Sequence, residues 1–367
     1  MVEWKKLGEV CSFNRGRTIT AKDAVEGDIP VIAGGQTPSY YHNEANRTGE
    51  SITIAGSGAY AGFVAYWNQP IFVSDAFTVN PKEGLKHKYL FHWLKLKQDK
   101  VFATQKGAGV PHVHGKDIAG FSIPLPSLSE QERIVGILDT FTSSIENLKA
   151  QISLRRKQYE HYRDKLLDLE GKQKKIGELT TIFSCPRVYR EQWQNHGVPF
   201  WRSSDVMSFH NGQKNPRGEA FISQELYEEL SQKSNKIEEG DLLVTGGGSI
   251  GIPYLKKDNK PLFVKDADLI CIKKCECLIP AFLYHYFLST EFKLYLKKIT
   301  HDATIAHYTI GQITDTPIPL PSLQEQSRIV SILDEFEASI KNLEAQLEAR
   351  EKQYEYYREK LLTFERE

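Results

Sequence analysis

The chain has 367 residues with 47 basic and 47 acidic side chains, so its net charge is zero. Hydrophobic residues make up 40% and charged residues 26%, the balance of a globular protein with room for two or three domains, which excludes a disordered or fibrous chain. No apolar run approaches the roughly 18 residues of a membrane span, the start Met1-Val2-Glu3-Trp4-Lys5-Lys6 has no apolar leader, and five cysteines without framework spacing argue for a reducing, cytoplasmic setting.

The first segment, residues 1–122, opens on Lys5-Lys6-Leu7-Gly8-Glu9 and contains Ser51-Ile52-Thr53-Ile54-Ala55 followed by Gly56-Ser57-Gly58. Glycines 56, 58 and 62 read first as a tight turn after a strand, whose amides can also meet phosphate. His112 and His114 precede a Pro-rich strand-to-helix junction, where they can serve either packing or contact with a ligand.

Residues 123–170 form the first long helix. Pro124 and Pro126 stop what precedes them, Ser127 or Ser129 can cap, and Glu130 and Glu132 suit the positive end of the helix dipole. Apolar residues then step by four and three: Ile134, Leu138, Phe141, Ile145, Leu148 and Ile152, resuming at Tyr159 and Tyr162. A period near 3.5 residues sustained this long is a coiled-coil seam. One seam slot is polar, Arg155, a device that often fixes register and partner number.

The second segment, residues 171–317, repeats the landmarks of the first. Lys174-Lys175-Ile176-Gly177-Glu178 matches the opening, Phe263-Val264-Lys265-Asp266-Ala267 matches Phe72-Val73-Ser74-Asp75-Ala76, and His307 and Thr309 align with His112 and His114. Asp241–Thr245 runs into Gly246, Gly247, Gly248 and Gly251, again a turn after a strand. Cys271, Cys275 and Cys277, with His285 downstream, lack the paired knuckle of a zinc site, and Cys271 falls in an apolar strand, so no metal is expected.

Residues 318–367 are a near-copy of the first helix. At a fixed offset of 195, about two thirds of the 48 aligned positions are identical. The second seam reads Ile329, Leu333, Phe336, Ile340, Leu343 and Leu347, then Tyr354 and Tyr357, with Arg350 in the polar slot. The expected fold is α+β: two similar domains separated by an antiparallel two-helix coiled coil with pseudo-two-fold symmetry, paired within one chain because a domain follows the first helix and another precedes the second. The charges segregate by segment, +3 and +2 on the domains against −1 and −4 on the helices. That is the pattern of domains that meet phosphate and helices that meet protein.

The Ile-Pro-Leu-Pro-Ser-Leu-x-Glu-Gln-x-Arg-Ile-Val junction, the Arg-Arg-Lys-Gln-Tyr-Glu-x-Tyr-Arg-Asp-Lys-Leu-Leu helix and the twofold layout resemble the specificity subunits of type I restriction–modification systems (the HsdS family). The resemblance covers nearly the whole chain. It implies that each domain is a target recognition domain reading one half of a bipartite double-stranded DNA site, with the helices setting the gap between halves. It implies two methyltransferase subunits carrying S-adenosylmethionine, motor–nuclease restriction subunits, and no cofactor or catalysis on this chain. The sequence carries no Asn/Asp-Pro-Pro-Tyr/Phe loop and no phosphate-loop motif, and Glu291-x-Lys293 has no upstream aspartate partner. A coiled-coil protein scaffold is the rival reading, and an enzyme with an unrecognised site a third.

Base edges are read by Arg and Lys at guanine and by Asn and Gln at adenine. Candidates in the first domain are Asn14, Arg15, Arg17 and Thr18 in one loop and Gln36, Ser39, Tyr40 and Tyr41 in another. In the second domain they are Arg187, Tyr189 and Arg190, then Arg202, Ser203 and Ser204, then Lys214 and Arg217. Tyr159, Tyr162 and Arg163, with Tyr354, Tyr357 and Arg358, are the candidate methyltransferase dock, or alternatively seam packing.

Overall fold

A two-stranded clip opens and closes each half of the chain. In the computed structural model Glu3–Lys6 pairs antiparallel with Ser122–Leu125, and Gln173–Lys175 pairs with Pro317–Pro319. The structure describes residues 2–169, 171, 173–213, 218–300 and 307–365. Pro124 therefore does not simply end an element: it lies opposite Trp4 in the clip, where a two-stranded sheet leaves every strand an edge and a missing N–H costs little.

Inside the clips the two domains have one topology. The first holds a four-stranded sheet ordered Cys11–Arg15, Ala76–Pro81, Glu50–Ala55, Val64–Asn68, and the second one ordered Ile182–Phe183, Leu269–Ile272, Leu242–Thr245, Pro253–Leu255. Each also has a three-stranded sheet whose centre (Ile29–Ile32, or Val198–Trp201) has one antiparallel and one parallel neighbour. The central strands are buried on both sides, with Ser51–Ala55, Leu242–Thr245 and Leu269–Ile272 buried at every position. Helices His87–Leu96 and Pro280–Leu288 then carry aromatic residues into the cores, among them Trp93, Tyr89, Phe282 and Tyr286.

The two long helices, α1 (Leu128–Leu167) and α2 (Leu323–Leu362), have 40 residues each, about 60 Å at the standard rise. The capping expectation resolves to Ser127, whose Oγ accepts from the Glu130 amide at 3.3 Å, and Ser322 does the same for Glu325 at 3.2 Å. The chain divides into two compact units that cut through both helices: residues up to Ala150 with those from Glu344 on, and Gln151–Leu343.

In the first unit α1 and α2 run antiparallel. Phe141 stacks on Tyr357 at 5.3 Å, and further along α1 Lys149 pairs with Glu351, further back along α2, at 2.9 Å. Arg350 lies over the Phe141 ring at 5.6 Å. The second unit repeats the trio with the helices exchanged: Tyr162 stacks on Phe336 at 5.5 Å and Arg155 lies over the same ring at 5.6 Å. The polar seam residues thus sit on aromatic faces, each interaction supplying about 0.5–1 kcal/mol.

The seam is not uniform. Ile134, Leu138, Ile329 and Leu333 are fully buried, and they belong to the domain cores as much as to the helix pair. Ile145 and Ile152 are buried, whereas Phe141, Leu148, Phe336, Ile340, Leu343 and Leu347 are half-buried. The stripe therefore begins as a domain-packing face and becomes a helix-pairing face further along.

Two side-chain networks fasten each domain. Gln131 is fully buried; its Nε2 donates to the Gly84 and Pro126 carbonyls at 3.0 Å and its Oε1 accepts from the Lys86 amide at 3.0 Å. Gln326 does the same with Cys277 (3.1 Å), Pro321 (3.0 Å) and Ile279 (2.8 Å). The second network is a buried histidine. His92 Nε2 donates to Asp139 of α1 at 3.0 Å, and Tyr354 of α2 donates to His92 Nδ1 at 3.1 Å. In the other unit His285 Nε2 donates to Asp334 of α2 at 3.0 Å, and Tyr159 of α1 donates to Nδ1 at 2.9 Å. A carboxylate can only accept, so it fixes the imidazole tautomer and leaves Nδ1 for the phenol. Both ring nitrogens of His285 are therefore engaged within the chain.

His92→Ala removes the partner of two half-buried groups and should cost about 1–3 kcal/mol in denaturant unfolding, against about 0.5–1.5 kcal/mol for Tyr354→Phe, with unchanged denaturant slope. Burial pushes Asp139 up, but hydrogen bonds from His92 and Lys88 outweigh it and hold the carboxyl below the ordinary 3.8. The His285 bond does the same for Asp334. Their contribution is present above pH 3.8 and is lost as pH falls through the depressed folded value. Stability measured across that window should fall with acid, and less steeply in the Asp139→Asn/Asp334→Asn double variant.

Candidate nucleic-acid interface

Each domain gathers its loops around one glycine turn. In the first domain the Gly56 amide donates to the Asp75 carbonyl at 3.0 Å and the Gly56 carbonyl accepts from Val113 at 3.0 Å. Ser57 hydrogen-bonds Asp75 and bridges to His112. A Cβ on Gly34 would fall 2.3 Å from the Ser57 carbonyl oxygen, so the loop that follows Ile32 and carries Gln36 lies against this turn. The Tyr40 hydroxyl donates to the Ile19 carbonyl at 2.5 Å, and the Arg17 amide donates to the Val73 carbonyl at 3.0 Å. Segments distant in sequence are thereby tied to one another around the turn.

Around this turn Arg15, Arg17, Thr18, Gln36, Ser39, His112 and His114 are exposed, and so is Tyr41, which alternates with Tyr40 along its strand. The two histidine rings lie parallel with centroids 6.3 Å apart. Arg17 stands over the Phe72 ring at 5.1 Å and is 3.6 Å from Glu44; both of these charged groups are mostly in solvent, so the pair adds little and the guanidinium is available. Two candidates have structural duties instead. The Tyr40 hydroxyl is spent on Ile19, and Asn14 accepts from Asn80 at 3.1 Å. Arg47, which sequence reasoning passed over, holds the edge of the face by donating to the Arg15 carbonyl at 3.1 Å and the Asn46 carbonyl at 2.7 Å.

The second domain builds the equivalent face around Gly246–Gly248. Gly246 donates to the Asp268 carbonyl at 2.8 Å and accepts from Tyr308 at 2.9 Å, while Gly247 bridges to His307 as Ser57 does to His112. A Cβ on Gly246 would sit 2.6 Å from the Ala267 carbonyl oxygen, and Gly248 has φ +75°, so both glycines are required by the turn itself. Beside the turn lies a cleft of about 1060 Å³, its walls including Arg190, Ser208, Asn211, Gln213, Gly248 and Ser249. Arg190, Asn211, Gln213 and Ser249 are exposed. An exposed guanidinium with amides and hydroxyls is the donor–acceptor mixture that matches base edges.

The structure separates the other candidates. Arg202 is a frame residue: buried, it bonds Asp205 at 2.8 and 3.2 Å and the Gly218 carbonyl at 2.6 Å, and lies over Trp193 at 5.6 Å. Ser203 donates to the Asp268 carbonyl at 2.6 Å. Lys265 in the cleft wall is paired with Asp268 at 2.6 Å. Arg187 pairs with Asp266 at 2.9 Å, and Tyr189 is 61% exposed at the edge. Lys214 and Arg217 lie outside the described residues.

The six residues of the expected partner dock divide as well. Tyr159 and Arg163 are buried, Arg163 over the Tyr159 ring at 5.5 Å and bonded to Asp164 at 2.9 Å. Tyr354 is half-buried with Arg358 over its ring at 5.1 Å. These four face the chain's own domains, because each phenol is drawn in by its histidine. Tyr162 and Tyr357 keep 43% and 40% of their surface in solvent. Among the described residues no group of three or more His, Cys, Asp or Glu side chains is placed to hold a metal ion, and no helix is long and apolar enough to cross a membrane.

The sequence model of the family described as the type I restriction modification DNA specificity domain matches residues 1–155 and 170–350. The chain belongs to this family. Its family relatives include the EcoR124I/EcoR124II specificity subunit of Escherichia coli, 26% identical over 409 residues that span 99% of this chain and 94% of that one. A candidate type I specificity subunit from Haemophilus influenzae is 30% identical over 393 residues, spanning 99% and 96%. The crystal structure of an S subunit from M. genitalium superposes with a TM-score of 0.68 at 17% identity over 100% of this chain and 97% of that one. The two chains therefore share one fold.

Arg202→Met removes the buried guanidinium's bonds to Asp205 and the Gly218 carbonyl and should lower stability by about 3 kcal/mol in denaturant unfolding. A variant of normal stability would show that Arg202 does not frame the cleft.

Proposed function

We propose that this chain is the DNA-specificity subunit of a type I restriction–modification complex. Each domain reads one half of a bipartite duplex site, and the α1–α2 pair holds the two readers on one chain. The observation that carries this reading is the pair of equivalent faces on matching frames with unlike side chains. Glycine turn, bridging histidine and carbonyl contacts coincide, while the exposed side chains of the surrounding loops differ, Arg17 and Gln36 in one domain and Arg190, Asn211 and Gln213 in the other. Two readers of different half-sites need this combination; a duplicated enzyme would keep a shared reactive set.

On this reading the chain itself performs no catalysis. Two methyltransferase subunits, which supply S-adenosylmethionine, and motor–nuclease subunits assemble on it in the cytoplasm. The mild excess of basic charge, +3 and +2 on the two domain segments, supports weak DNA affinity alone and tighter binding once a partner adds phosphate contacts. Tyr162 and Tyr357, half-exposed at matching places on α1 and α2, are the parts of the expected dock left open to such a partner.

Replacing residues 1–122 with another first domain should change one half of the sequence protected by the chain and its methyltransferase, and leave the other half intact. Arg190→Ala should weaken discrimination at the second half-site by about 1–3 kcal/mol while the first half-site is read as before. Methylome sequencing and footprinting check both, and a variant or chimera that altered both halves would overturn the modular reading.

A further inference from the structure

The seat of Gln326 on its domain has a chemistry that the seat of Gln131 lacks. Gln131 is held by the turn Lys82-Glu83-Gly84, through the Gly84 carbonyl. Gln326 is held by Cys275-Glu276-Cys277, through the Cys277 carbonyl at 3.1 Å. The two sulfurs of this turn lie 3.6 Å apart, with Cys277 exposed and Cys275 half-buried. The other three cysteines, Cys11, Cys185 and Cys271, are buried. One of two otherwise matching helix seats is therefore built on a solvent-facing thiol pair.

We propose that Cys275 and Cys277 are a reversible dithiol–disulfide site for hydroperoxides, and that its oxidation loosens the seat of Gln326. The Cys277 thiolate attacks a peroxide oxygen: the S–O bond forms, the O–O bond breaks, and the leaving hydroxide takes a proton to become water. The Cys275 sulfur then attacks the sulfenic sulfur, the S–S bond forms, and a second water leaves. Two thiols lose two electrons and two protons, and one hydrogen peroxide becomes two waters. Cys277 is the thiol that a solvent oxidant reaches. Burial raises the Cys275 thiol above its ordinary range, with the Cys277 sulfur adding to the effect, which disfavours Cys275 as the first thiolate to meet the oxidant.

Disulfide formation needs the sulfurs to approach by about 1.6 Å, to the normal S–S length. The turn between them has a single residue, so the backbone must follow, and it carries the Cys277 carbonyl that Gln326 grips. A loop this short gains little from cross-linking, so the bond is readily reduced, as regulatory disulfides are.

The test uses the full chain treated with a small excess of hydrogen peroxide. The expected result is loss of the two thiols that react without denaturant, a loss of two hydrogens in the tryptic peptide Cys275–Lys293, and amide exchange at Ile279 faster by about tenfold. Dithiothreitol should restore all three, and the Lys86 amide in the other seat should not respond. In Cys275→Ser, or Cys275→Ala where the serine does not fold, peroxide should modify Cys277 without accelerating Ile279. The proposal is overturned if both thiols stay titratable, if Cys277 alone is carried to the sulfinic acid, or if the disulfide forms and Ile279 exchange is unchanged.

Discussion

A buried imidazole shared between two helices is the constraint on which each unit rests. His92 takes a carboxylate from α1 and a phenol from α2; His285 takes the carboxylate from α2 and the phenol from α1. Neither helix alone satisfies either ring. The ring nitrogens are inside the protein, where an unmet hydrogen bond is costly. A domain is therefore complete only when a residue from the following helix and one from the other repeat are both present. This couples each domain to both helices far more specifically than the apolar stripe could, since Ile and Leu accept many neighbours.

The same frame then tolerates divergence at its rim. The clips, the glutamine seats, the histidine bonds and the glycine turns recur in both halves, and all of them are satisfied internally. The loops that meet at the glycine turns are not shared. Their exposed groups, Arg15, Arg17 and Gln36 in one half and Arg190, Asn211 and Gln213 in the other, have no structural duty in common. Where a candidate does have such a duty, as Arg202 with Asp205 and Gly218 or Tyr40 with Ile19, it belongs to the frame rather than the rim. Sorting side chains in this way separates what holds a reader in shape from what it offers to a ligand.

The repeated helices, their caps and the seam were legible in the sequence because periodicity and duplication survive without knowledge of the fold. The convergence of loops was not. Nothing in the spacing of Gly34, Ser57 and His112 says that a carbonyl of one crowds the α-carbon of another. The histidine bonds were hidden for a further reason: His92 and His285 are 193 apart, their aspartates 195, and the phenols come from the opposite copy. A search at one offset aligns the helices and misses this crossing. The tyrosines were visible as a repeated motif, but their role depended on which way the helix was turned, and a seam with both rim and core tyrosines does not declare it.

The polar slots of the seam explain why the helices pair as they do. In a parallel arrangement at the repeat register Arg155 would face Arg350, and in a parallel pairing of two copies of the chain each arginine would face itself. Either places two guanidinium groups together on a half-buried seam, where like charges repel in a reduced dielectric. Antiparallel pairing replaces that repulsion with two attractions: Arg155 finds the face of Phe336, Arg350 that of Phe141, and a tyrosine stacks against each phenylalanine. The gain from each contact is modest, but the difference between the arrangements is the sum of attractions made and a repulsion avoided. Two similar helices, which could pair either way on hydrophobic grounds alone, are thus biased toward the orientation that the histidine bonds also require.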